Sequence, residues 1–72
     1  MSAKTTPLPT FLRLPQVRQI TGLLRSSIYA KVATGAFPAP VALGARSVAW
    51  VDREINDWVA SRIAARANGG VQ

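Results

Sequence analysis

The sequence predicts a small, mainly α-helical domain that contains one β-hairpin. Two short helical patterns meet at a glycine-bearing turn, two alternating apolar segments flank a second turn, and a third helical pattern follows. A chain of this size buries only about 60% of the surface that it exposes when unfolded, which allows one modest core. We therefore expect one folded domain over residues 11–66, a flexible arm over 1–10 and a frayed tail over 67–72. The segment "FLRL" at 11–14 is either an edge strand or an apolar plug.

The first helix is predicted over "PQVRQIT", residues 15–21. Pro15 suits a first turn, where a backbone N–H has no helical partner to lose. Val17 and Ile20 lie three residues apart on one face, which we expect to face the core. Gly22 is placed to end the helix in the left-handed conformation.

A second helix is predicted from Arg25 to Thr34, with Ile28 and Val32 facing the core and Gly35 as its end. Two short helices joined by "TGLL" form a helix-turn-helix pattern. An αα-hairpin inside another kind of small bundle has the same spacing, so the two helices alone leave both architectures open.

The following segment favours the first architecture. In "FPAPVALGARSVAWV", apolar Val41 and Leu43 precede a glycine-bearing turn, and apolar Val48 and Trp50 follow it. This alternation on both sides of a turn predicts a β-hairpin. A hairpin that follows a helix-turn-helix is a wing, so the predicted fold class is a winged helix-turn-helix.

The third helix is predicted to begin near Asp52, whose carboxylate can accept hydrogen bonds from the free N–H groups of the first turn. We expect Trp50 and Trp58 to join the hairpin to this helix as core residues. A stripe at helical spacing predicts its core-facing side, formed by Ile55, Trp58, Val59 and Ile63.

The composition narrows the function. Nine Lys or Arg residues against three Asp or Glu give a net charge of +6, and most of the cations are arginine, which indicates a polyanionic partner. The chain has no cysteine and no histidine, and its three acids lie near one helix start. We therefore expect no catalytic site, no metal or cofactor and no small-molecule substrate. No signal-peptide pattern and no apolar run of about 20 residues is present, so we expect a cytoplasmic protein that binds no membrane.

The second helix carries the candidate nucleic-acid contacts. With about 100° per residue, inward Ile28 and Val32 turn Ser26, Ala30, Ala33 and Thr34 outward. Ser27 and Lys31 then lie on one flank and Tyr29 on the other, while Arg25 is at the N-terminal end. In helix-turn-helix proteins this end enters the major groove, where arginine binds guanine edges or phosphates.

Each candidate also has an ordinary structural explanation. The serines can cap and solvate a helix start, and Tyr29 can be a half-buried filler. Arg46 at the turn of the hairpin can be merely solvated, although a lone arginine at a wing tip also suits a narrow minor groove. We favour the DNA interpretation for Arg46.

From Arg13 to Arg66 the sequence resembles the AlpA family of phage-type regulators, relatives of excisionase and MerR-type winged helix proteins. The resemblance rests on "RLPQV", "TGL", "RSSIY", "GAFPAPVALGAR" and a "W" followed by "EINDWVASRIA". It implies a DNA-binding role in a prophage or other mobile element, either as an activator of transcription or as an excisionase that turns an integrase toward excision. The DNA-reading positions of the family fall on Arg25, Ser26, Ser27 and Tyr29, with Arg46 on the wing.

The sequence departs from the family pattern at three positions. Leu24 replaces a serine that usually caps the second helix, so a helix start at Ser26 is an alternative. Ala30 stands where a polar or basic residue is usual, and Lys31 stands where an apolar residue is usual. We expect Lys31 to make the phosphate contact in the middle of the helix.

Two functions remain open from the sequence. The first is a regulator that binds double-stranded DNA, with an integrase as a further candidate partner. The second is a protein-interaction module, such as an antitoxin or adaptor, that binds an acidic protein. One module of this size covers only about 600–1,000 Å² of protein surface on DNA, so for the first function we expect copies to self-associate along DNA.

Overall fold

The computed structural model describes residues 8–69 and confirms the predicted class: three helices and a small antiparallel sheet, a winged helix-turn-helix. Residues 1–7 of the predicted arm and 70–72 of the predicted tail lie outside the described residues. The elements in chain order are β1 (Phe11–Leu12), α1 (Leu14–Thr21), α2 (Arg25–Ala33), β2 (Val41–Ala42), β3 (Val48–Val51) and α3 (Asp52–Gly69). Helix α3 is thus present three residues beyond Arg66, where the tail was predicted to begin.

Helix α1 is bounded by two local hydrogen bonds. At its start, the side-chain oxygen of Gln16 accepts from the backbone N–H of Arg13 at 2.9 Å. At its end, Gly22 has a φ of 76° and donates its N–H to the carbonyl of Arg18 at 2.8 Å. The left-handed conformation costs other residues about 1–2 kcal/mol, which is why a glycine ends this helix.

Helix α2 begins at Arg25, and the alternative start at Ser26 is wrong. Leu24 takes the N-cap position with an extended backbone, and its carbonyl accepts from the N–H of Ile28 at 3.0 Å. Leucine has no side-chain acceptor, so the helix forms without a side-chain cap.

The end of α2 is fixed by two backbone hydrogen bonds around Gly35, which has a φ of 78°. Gly35 donates to the carbonyl of Val32 at 3.1 Å, and Ala36 donates to the carbonyl of Lys31 at 2.8 Å. This pair of bonds is a Schellman motif, which satisfies carbonyls that the helix leaves unpaired. The predicted glycine stop is confirmed.

The sheet has the order β1-β3-β2 with antiparallel neighbours. Phe11 pairs with Val51, so part of "FLRL" is an edge strand. Val41 pairs with Ala49, and the N–H of Leu43 donates to the carbonyl of Ser47 at 2.7 Å across the turn. The hairpin formed by β2 and β3 is the predicted wing, and β1 covers the other edge of its longer strand.

A single core joins the elements. Trp50 is its largest side chain and is fully buried at 0% exposure, with its indole N–H donating to the carbonyl of Pro38 at 3.0 Å. The three helices, the loop between α2 and β2, and strand β3 each contribute one side chain to the buried cluster. Its members are Val17, Ile28, Phe37, Trp50 and Ile55. Val32 and Trp58 are partly buried and pack against this cluster.

Two predicted core positions are wrong. Ile20 is 44% exposed and Ile63 is 53% exposed. Both follow the correct helical period, but the core is too small to cover the whole length of either helix. It reaches Val17 on α1 and Ile55 on α3, and the residues one or two turns further on lie outside it.

The start of α3 is tied to the start of the domain by Asp52. Its Oδ1 accepts from the N–H of Arg53, in the first turn of the helix, at 2.7 Å and from the N–H of Thr10 at 3.0 Å. Its Oδ2 accepts from the Thr10 hydroxyl at 2.8 Å, and its own N–H donates to the Thr10 carbonyl at 2.9 Å. The hydrogen bonds from Thr10 keep the pKa of Asp52 below its ordinary value. Thr10, the last residue of the predicted flexible arm, is therefore held in place.

Candidate nucleic-acid interface

The N-terminal half of α2 presents polar and basic side chains to solvent. Ile28 is fully buried and Val32 packs against the core, which fixes the rotation of the helix. As predicted, Ser26, Ala30, Ala33 and Thr34 are exposed, and Arg25 and Tyr29 are exposed beside them. Ser27 and Lys31 are half-buried on the opposite flank from Tyr29.

Arg25 is linked to the core through two aromatic rings. Its guanidinium carbon lies 5.6 Å from the centroid of the Tyr29 ring, and that ring meets Trp50 edge to face at 6.0 Å and 65°. A cation–π contact at an exposed site contributes about 0.5–1 kcal/mol and uses no N–H donor. Contact with the Tyr29 ring therefore restricts where the Arg25 guanidinium can lie, while the N–H donors of the guanidinium stay available for a base edge or a phosphate.

Lys31 lies one helical turn beyond Ser27 on the same flank, toward the C-terminal end of α2. Its carbonyl accepts from the Thr34 hydroxyl at 3.1 Å as well as from the N–H of Ala36. The structure therefore brings Arg25 and Tyr29 into contact, with Ser26 exposed in the same helix, and places Lys31 on the other flank.

Arg46 occupies the exposed turn of the wing. Within the described residues it makes no hydrogen bond and no ion pair. The turn itself is closed by the carbonyl of Ser47, which accepts from the N–H groups of Leu43 and, at 3.3 Å, Gly44. Because Trp50 lies on β3, the second strand of the wing, and contacts Tyr29, the wing is anchored to α2. Arg46, in the turn, forms a contact point separate from the group around Arg25.

The positions of the acidic residues along the chain are a further signal for the site, and they can be read directly from the sequence. Residues 1–51, which include both helices of the helix-turn-helix and the wing, contain no Asp or Glu. All three acids, Asp52, Glu54 and Asp57, lie in the first two turns of α3. The elements that carry Arg25, Lys31 and Arg46 therefore contribute no negative charge of their own, which favours a polyanionic partner.

Other kinds of site find no support in the part of the chain that the structure describes. Over residues 8–69, no three His, Cys, Asp or Glu side chains come together in a way that could hold a metal ion. None of the helices described here is long and apolar enough to cross a membrane.

Comparison with known proteins identifies the family. The family model described as "Prophage CP4-57 regulatory protein (AlpA)" matches residues 10–63, a stretch that includes all six candidate residues. The uncharacterized protein ORF88 of Enterobacteria phage P4 is 46% identical over 68 residues, which cover 88% of this chain and 77% of the relative. The DNA-binding transcriptional activator AlpA of Escherichia coli K12 is 39% identical over 57 residues, which cover 71% of this chain and 81% of the relative. The chain therefore belongs to the AlpA family of prophage regulatory proteins.

Proposed function

We propose that this chain is a sequence-specific regulator of a prophage or another integrative element and that it acts by binding double-stranded DNA. The observation that carries the proposal is that α2 and the wing contain no acidic residue and expose Arg25 and Arg46. The DNA-binding activity named for the Escherichia coli relative supports it. Such a regulator works in the bacterial cytoplasm, on the chromosome.

In the proposed complex the N-terminal end of α2 enters the major groove. Arg25 binds a guanine edge or a phosphate, Ser26 and Ser27 donate hydrogen bonds, and the Tyr29 hydroxyl reaches a phosphate. Lys31 neutralises a phosphate further along the helix. Because Leu24 provides no side-chain cap, the first N–H groups of α2 are available to a phosphate as well.

The wing supplies the second contact. Arg46, at the tip of the hairpin, inserts into the minor groove, where a narrow groove concentrates negative potential. The region 11–66 acts as the DNA-binding domain. Its binding either activates a neighbouring gene or bends an attachment region so that an integrase is directed to excision, in which case the integrase is a partner.

Replacing Arg25 or Arg46 with alanine is expected to leave the fold intact, because both side chains are exposed, and to weaken DNA binding. If Arg25 reads a guanine, its loss costs about 1–3 kcal/mol and relaxes specificity at one base pair. The measurement is titration of DNA fragments that contain the promoter of the chain's own gene or the attachment site of its element, at several salt concentrations.

Arg62→Ala is the matched control, since Arg62 lies on α3 and not on α2 or the wing. It should bind a single site like the wild type. Wild-type affinity in both the Arg25 and Arg46 variants would contradict the proposed docking. Absence of salt-dependent binding to any such fragment, together with binding to an acidic protein, would support the interaction module instead.

We also propose that several copies bind neighbouring DNA sites and assist each other by weak contacts, because one module covers little DNA. Free in solution the protein is then largely monomeric. Titration of DNA that carries one site, compared with DNA that carries tandem sites, should show tighter binding per site in the tandem array. Equal affinity for an isolated site and for a site in the array would contradict cooperative assembly.

A further inference from the structure

Helix α3 carries opposite charges at its two ends. Glu54 and Asp57 are exposed in its first two turns, and Arg62 and Arg66 are exposed further on. None of these four side chains forms an ion pair or a hydrogen bond within the part of the chain that the structure describes. The charges are therefore available to a partner.

The acidic end forms one wall of a groove of about 600 Å³. We call this surface the acidic groove; it is lined by Gly35, Ala36, Phe37, Pro38, Ala39, Glu54, Asp57 and Trp58. Its shape is fixed, because the rings of Phe37 and Trp58 meet at 4.9 Å and 67°, and the indole N–H of Trp58 donates to the carbonyl of Ala36 at 2.9 Å. Two carboxylates beside an indole suit an arginine, which pairs with carboxylates through its planar fork and stacks on Trp.

The basic end of α3 extends past the core. Every side chain from residue 60 to 66 is exposed, and Ile63 among them is 53% exposed. Arg62 and Arg66 are four residues apart and so lie on one face. We call residues 60–66 the basic helix end.

We propose that the basic helix end of one copy docks into the acidic groove of the copy bound at the next DNA site. The inference rests on the proposed function, which places copies side by side on DNA. Charge complementarity supports this contact. In a chain of net charge +6, the three acids of α3 are the only acidic side chains, so this is where a neighbour's cations are attracted rather than repelled.

The same charges exclude other occupants of the groove. Phosphates are repelled by Glu54 and Asp57, so DNA does not fill it. A symmetric contact between two basic helix ends would set Arg62 and Arg66 against their own copies. The contact is therefore head to tail, and such an interface need not close into a ring and can continue as a row.

One helix end in one groove is far smaller than a standard interface of about 1,600 Å². The contact is consequently weak between free molecules. It takes effect when DNA holds two copies next to each other, because a tethered contact has a high effective concentration. It therefore appears as cooperativity on DNA.

Two charge-reversal variants test the contact. One combines Glu54→Arg with Asp57→Arg, and the other combines Arg62→Glu with Arg66→Glu. For each we compare affinity for DNA with one site and with two adjacent sites, and the ratio of the two affinities removes the general effect of altered net charge. For the wild type we expect a cooperativity factor on the order of 10, equivalent to about 1.4 kcal/mol.

Each reversal alone should reduce this factor to about 1, since its basic helix end and its groove then carry the same sign of charge. An equimolar mixture of the two variants should restore it, because opposite charges meet wherever the two variants are neighbours: the unchanged basic end of the first enters the unchanged acidic groove of the second, and the reversed end of the second enters the reversed groove of the first. Asn56→Arg is the control: it adds a cation to the same helix at an exposed position outside the acidic groove and should leave the factor unchanged.

Wild-type cooperativity in either reversal, or a mixture that fails to restore it, would overturn the proposed contact. If a cationic protein other than a second copy fills the groove, the reversals leave cooperativity unchanged, which also overturns it. In these outcomes single-site binding persists, so the proposed DNA-binding function stands. Absence of binding even to a single site by the wild type would overturn both.

Discussion

Trp50→Ala is expected to leave most of the chain unfolded at 25 °C. Trp50 is fully buried on the central strand, pairs with Leu12 of β1 and contacts Tyr29 of α2. Truncating a buried tryptophan costs about 3–5 kcal/mol. A single core in a domain of this size rarely provides more than about 3–5 kcal/mol of stability, so the expected loss matches the whole free energy of unfolding.

Circular dichroism with thermal and urea unfolding measures this effect. Phe11→Ala is the matched control, because it also truncates an aromatic side chain in the sheet but at a position that is 51% exposed. It should cost far less than Trp50→Ala and keep a cooperative transition. A cooperative melt of Trp50→Ala near the wild-type temperature would contradict the central place of Trp50 in the core.

Trp58→Ala is expected to have the second largest effect, about 3 kcal/mol, at the lower end of the range for aromatic truncation. Trp58 is only partly buried, but it packs on Phe37 and its indole N–H holds the carbonyl of Ala36. Its removal therefore releases the loop between α2 and β2 as well as part of the core. Urea unfolding gives the difference in free energy.

Trp58→Phe keeps an aromatic ring against Phe37 and loses the hydrogen bond together with one of the two fused rings. The hydrogen bond accounts for about 0.5–1.5 kcal/mol of the cost. The chain has two tryptophans, so this variant also leaves Trp50 as the sole indole emitter. Its fluorescence should be that of a buried indole and should shift to the red in one transition with urea. If Trp58→Ala unfolds at the same urea concentration as the wild type, Trp58 is not part of the stabilising core.

The helices and the wing followed from local patterns in the sequence. Gly22 and Gly35 end helices because only the residue without a Cβ takes a positive φ at little cost, and that rule needs no tertiary information. The exposure of Ile20 and Ile63 did not follow, because periodicity gives the face of a helix and not the distance to which a core extends along it. Short "FLRL" stayed ambiguous, since a two-residue strand is defined by its partner and not by its own sequence.

For the candidate interface, local patterns in the sequence again predicted the contacts within one helix but not the contacts between distant elements. The outward positions of α2 followed from Ile28 and Val32, and the four-residue spacing of Arg25 and Tyr29 agrees with their contact. The support of Tyr29 by Trp50 did not follow, because it joins elements that are distant in the sequence. The bonds between Thr10 and Asp52 were missed for the same reason, since 42 residues separate the two.

The pairing of β1 with β3 has a consequence for the order in which the chain folds. The helix-turn-helix and the hairpin are built from contacts close in sequence, whereas Phe11 must find Val51 across 40 residues. Closing a loop of this length has an entropic cost, so the pairing of β1 with β3 forms late in folding. We therefore expect the native topology to be completed only when the sheet closes. On the ribosome, the first strand made must wait until β3 has emerged, and until then its N–H and C=O groups remain an unpaired edge that other chains can bind.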